Sequence, residues 1–90
     1  MPDAHPQSLN SLVDELLADL NREHELVNVI IRGCIDHRWA LGEEERAIAQ
    51  AMVFNAFEAY LIERGMTVDE AGEFCEQHID SLMRSVLAVL

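Results

Sequence analysis

The chain has 90 residues, 17 acidic against 6 basic side chains, a formal net charge of −11 and 50% hydrophobic residues. That length makes one domain, and that charge opposes direct contact with nucleic-acid phosphates or an anionic membrane surface. Half apolar is too much for a disordered acidic tail, and two cysteines cannot build a disulfide framework.

Residues 1–7, with prolines at positions 2 and 6, are expected to form a disordered tail ahead of a single helical-bundle domain over 8–90. The opening residues carry neither a basic n-region nor an apolar h-region, and no apolar run approaches the ~20 residues of a membrane span. The expectation is a soluble, cytoplasmic protein. Its bases are all arginine, a usage compatible with a GC-rich bacterial or phage genome.

From Ser8 the pattern turns helical. Leu9, Leu12, Val13, Leu16, Leu17, Leu20, Val27, Ile30, Ile31 and Cys34 recur at spacings of three and four. The stripe is interrupted by the polar stretch Asn21-Arg22-Glu23-His24-Glu25, which holds no Gly or Pro. This favours one long helix over 8–38, about 46 Å long, with a break near 21–24 as the alternative. Asp36-His37-Arg38-Trp39-Ala40-Leu41-Gly42 then closes the helix.

Glu43, Glu44 and Glu45 open the next helix, where its dipole favours acids. Its apolar residues Ala47, Ile48, Ala51, Met52, Phe54, Phe57, Leu61 and Ile62 cover more than one face, and Gly65 stands at a helix-ending position. Thr67-Val68-Asp69-Glu70 reads as a capping box, with Met66 and Ala71 placed as its hydrophobic staple. Val68, Ala71, Cys75, Ile79, Leu82, Val86 and Val89 carry a last stripe.

The fold expected is therefore all-α, a small bundle of three helices (or four if the first breaks). Its core would hold Leu16, Leu20, Val27, Ile30, Ile48, Met52, Phe54, Leu61, Phe74, Ile79, Leu82 and Val86. A long first helix and broad apolar faces favour a homodimer. The competing architecture is a compact monomer of four shorter helices, broken near residue 22.

Both cysteines stand in Cys-x-x-His: Cys34 with His37, and Cys75 with His78. Each pair shares a helix face, and together they would supply a tetrahedral zinc set. An up-down-up bundle, however, separates them by about 15 Å in height at 1.5 Å per residue. The simpler expectation is two small core hydrophobes and no cofactor.

Asp36, His37, Arg38 and Trp39 form the densest polar and aromatic cluster. They read as a helix end or, since Trp and Arg are enriched at binding hot spots, as a partner contact. Glu43, Glu44, Glu45, Asp69, Glu70, Glu73 and Glu76 are candidate contacts for a basic partner. No phosphate-binding, nucleophile or metalloprotease motif occurs, so no enzymatic activity is expected.

The leading function is a small non-enzymatic regulatory or adaptor protein working by protein–protein contact, with itself and an unidentified protein as partners. One alternative is an acidic nucleic-acid mimic, of a phage-associated kind, that inhibits a nucleic-acid-binding protein. The other is a metal- or redox-responsive regulator using the two Cys-x-x-His pairs.

Overall fold

The computed structural model describes residues 9–89, so the expected tail at 1–7 lies outside the described residues. Four helices follow one another: α1 (Leu9–Asn21), α2 (Glu25–Trp39), α3 (Glu43–Glu63) and α4 (Val68–Val89). Among the described residues there is no strand, and the all-α small bundle is the fold. No helix of the described residues is long and apolar enough to cross a membrane.

The single long helix over 8–38 does not form; the break falls at 22–24. The chain stops α1 without Gly or Pro. Glu23 takes a left-handed backbone conformation, with φ of 58°. Its N–H donates to the Leu20 carbonyl at 3.0 Å, and the His24 N–H donates to the Asp19 carbonyl at 3.1 Å. This pair of bonds is the Schellman closure usually built on glycine. His24 then starts α2: its backbone is extended, and its Nδ1 accepts the Leu26 N–H at 3.2 Å. A helix end at 21 lets Leu12, Val13 and Leu16 of α1 and Val27, Ile30, Ile31 and Cys34 of α2 enter one core from two directions. Burying each large side chain contributes about 1.5–3 kcal/mol, more than the ~1–2 kcal/mol strain of a left-handed glutamate.

Helix α2 packs along α3 after the short turn 40–42, and α4 packs on α3, α2 and α1. The α2–α3 contact is close at Gly33, where a Cβ would lie 2.5 Å from Val53 Cγ2. Gly33 thus leaves the notch that receives Val53, itself fully buried. The two later helix boundaries follow their local signals. Gly65 is left-handed at φ 107°, with Gly65 N–H bonded to the Ile62 carbonyl and Met66 N–H to that of Leu61. Thr67 and Glu70 form the reciprocal capping box: Thr67 N–H donates to the Glu70 carboxylate at 2.9 Å, and Glu70 N–H to Thr67 Oγ1 at 3.2 Å.

Of the expected core, Leu16, Val27, Ile30, Leu61, Ile79, Leu82 and Val86 are buried. Leu20, Phe54 and Phe74 pack against it half-buried, whereas Met52 on α3 is half-buried without packing on that core. Ile48 is the correction: it is 63% exposed. The face of α3 that enters the core runs through Ala49, Val53, Ala56, Phe57 and Tyr60, one position further round.

Candidate functional site

Apolar residues ring α3, so burying one face leaves others outside. The surplus surfaces where α2 ends and α3 begins. There Trp39 is 72% exposed, Leu41 94% and Ile48 63%, with Ile35 at 41% one turn before Trp39. Between the helices lies an open hollow of about 330 Å³, lined by Asp36, Trp39, Ala40, Glu45, Ile48, Ala49 and Met52. Its walls are apolar, and Asp36 and Glu45 supply carboxylates at its edge.

The local geometry holds this corner open. Ala40 is extended and ends α2, its N–H bonded to the His37 carbonyl at 3.4 Å. The Glu45 carboxylate reaches back to accept the Leu41 N–H at 3.4 Å, fixing the start of α3. Leu41 is thereby displayed with almost no cover. The Arg38 guanidinium lies 5.9 Å from the Trp39 ring centre, within cation–π range. Asp36, Arg38 and Trp39 are exposed and His37 is half-buried, so the predicted cluster is a surface feature.

The predicted acids do not form one face. Glu43, Glu44 and Glu45 are exposed in the first turn of α3. Asp69, Glu70, Glu73 and Glu76 are exposed on α4, which follows α3 after the four-residue link 64–67. The 21 residues of α3 place the two groups near opposite ends of a helix about 31 Å long.

Cys34 and Cys75 are both fully buried free thiols in the hydrophobic core. Burial pushes the Cys34 thiol up to about 11, and burial with the nearby Glu58 charge pushes Cys75 up to about 12. The ring of His78 lies 4.4 Å from that of Phe74. Among the described residues no group of three or more His, Cys, Asp or Glu is arranged to hold a metal ion, so Cys34, His37, Cys75 and His78 are not brought together.

A polar node joins the helix ends opposite the corner, and the sequence pattern did not announce it. The Tyr60 hydroxyl on α3 donates to Asp19 Oδ2 on α1 at 2.6 Å, and Arg22 donates to Asp19 Oδ1 at 3.0 Å. Arg64 donates to Glu15 at 2.6 Å and sits 5.6 Å over the Tyr60 ring. His24 meets the Tyr60 ring edge-on at 5.5 Å and places Nε2 3.5 Å from the Glu63 carboxylate. The Tyr60 hydrogen bond holds the Asp19 carboxyl below its usual range, reinforced by Arg22 and opposed by burial. Burial first, and then the Asp19 bond, raises the Tyr60 phenol. Helix α1 does not pack along α3, so these side chains tie the two together.

The residues missed at the corner are Ile35, Leu41, Ile48 and Met52. For Ile48 and Met52 the signal was present in the excess of apolar positions on α3, though period alone does not say which face is left outside. Comparison with known protein families, curated proteins and solved structures finds no match to this chain.

Proposed function

We propose that the protein is a small non-enzymatic regulatory or adaptor protein that works by protein–protein contact at the α2–α3 corner. The observation that carries this reading is that four of the exposed large hydrophobics, Ile35, Trp39, Leu41 and Ile48, gather where α2 meets α3, with Trp39 and Ile48 lining an apolar hollow; Val29, Ile62, Val68 and Val89 are the others exposed among the described residues. Exposed apolar groups of this kind, gathered rather than scattered, mark interaction surfaces. Trp39 beside Arg38 supplies the residue types that dominate binding energy.

The acidic-mimic reading requires carboxylates along one continuous face. Their division between the two ends of α3 gives it less support than the apolar corner gives to protein contact. The redox and metal reading is likewise the weaker one, since its cysteines are buried and its four candidate ligands are apart.

Affinity capture from cells that express the protein naturally separates these readings. A partner held through the corner stays bound at high salt and is lost when the bait carries Trp39→Ala or Ile48→Glu. A partner that dissociates in salt and ignores both substitutions is held by the acidic groups instead, and the corner reading fails.

A further inference from the structure

The corner differs from the rest of the molecule in charge as well as in hydrophobicity. Residues 32–48 hold three arginines, Arg32, Arg38 and Arg46, against four acids, Asp36, Glu43, Glu44 and Glu45, a net of −1. The remaining chain holds the other three arginines against the other thirteen acids, a net of −10 out of the total of −11. All three corner arginines are exposed, and among the described residues none is in an ion pair. Arg22 and Arg64, by contrast, are both engaged by carboxylates at the far node.

Two copies of a chain carrying −11 repel wherever their acidic surfaces meet. The corner is where that repulsion is weakest, where apolar side chains stand uncovered, and where exposed arginines and exposed acids share one short stretch of chain. A surface with both signs is self-complementary under a two-fold axis, because each copy offers the arginines that the other's glutamates need. A basic partner would gain more from the strongly negative remainder of the surface than from this near-neutral patch.

We propose that the α2–α3 corner is a self-association face whose occupant is a second copy of this chain. This rests on the reading of the corner as a protein-contact surface, and names the partner. Two α2–α3 hairpins pack across a two-fold axis. Trp39 of each copy covers the hollow beside Ile48 and Met52 of the other, and Arg38 and Arg46 face the partner's Glu43–Glu45 turn. Ala47 and Ala51, both exposed on α3, let the helices approach closely.

Sedimentation equilibrium of the full chain, from about 1 to 200 µM so that mass action reveals micromolar affinity, tests the proposal. The expected species is a dimer of twice the 10.2 kDa chain mass. Trp39→Ala and Ile48→Glu each weaken it by about 30-fold or more, the effect of removing a hot-spot contact. Val89→Glu, at an apolar position exposed elsewhere, leaves it unchanged. Circular dichroism of each variant confirms that the helices remain. A single-chain mass throughout, or a dimer indifferent to both corner substitutions, overturns the proposal. If the chain stays single while captured partners still depend on Trp39, the corner serves a different protein, and only the identity of the occupant is wrong.

Discussion

Replacing Glu23 by glycine and by alanine gives opposite orders of stability for a broken and for a continuous first helix. In the structure Glu23 is exposed, sits at φ 58°, and uses its backbone N–H to close α1 on Leu20. Its side chain makes no packing contact in the core, so substitution acts almost wholly through the backbone. A left-handed conformation strains a residue with a Cβ by about 1–2 kcal/mol. Glycine removes that strain and adds about 0.5–1 kcal/mol of unfolded-state entropy. Glu23→Gly should therefore stabilise by about 0.5–1 kcal/mol, and Glu23→Ala, which keeps the Cβ, should not. In a continuous helix the order reverses, since glycine is about 1 kcal/mol worse than alanine in a helix interior. Thermal unfolding followed by far-ultraviolet circular dichroism resolves the difference, because 1 kcal/mol moves the Tm of a domain this size by about 4–8 °C. A glycine variant melting below the alanine variant would refute the break at 22–24.

Gly33→Ala should destabilise by about 1–2 kcal/mol, because overpacking of about 1–3 kcal/mol at the 2.5 Å approach to Val53 outweighs the helix-propensity gain; in a Val53→Ala background the same substitution becomes neutral or stabilising, as urea titration of the four variants will show. Tyr60→Phe should cost about 1–2 kcal/mol by removing a hydrogen bond to a carboxylate. The raised Tyr60 phenol makes its contribution fully present below the unfolded pKa of about 10 and lost above it, so the Tyr60→Phe variant should show a shallower stability decline in strong alkali. The depressed Asp19 carboxyl works in the other direction: its contribution holds above about pH 4 and fades in acid. Thiol labelling at pH 8 should be at least ~100-fold slower in the folded protein than in denaturant, since buried thiols near 11 and 12 carry little thiolate. Labelling at the rate of a free cysteine would show that Cys34 or Cys75 opens to solvent.

Much of the architecture was legible locally. The Thr67–Glu70 box and Gly65 mark helix ends by hydrogen bonds that reach only a few residues, and both form as their sequence implies. Cys34 and Cys75 were readable as core residues because each continues an apolar stripe. The break at Glu23 was harder to read. A glutamate left-handed at a helix end has no sequence signature of its own, and here burial of α1 and α2 from two directions outweighs local preference.

The sequence by itself determined the helical content, the last two helix boundaries, the acidic exterior and the position of Trp39 at a helix end, because helical period, capping and charge are properties of neighbouring residues. Only the tertiary structure decided which face of an all-round apolar α3 is left exposed, that Ile48 joins Trp39 rather than the core, and that Tyr60 reaches Asp19 across 41 positions. Those outcomes depend on where other helices lie. Packing α2 against α3 at Gly33 selects the side of α3 that is covered, and the side left over is the candidate interaction surface.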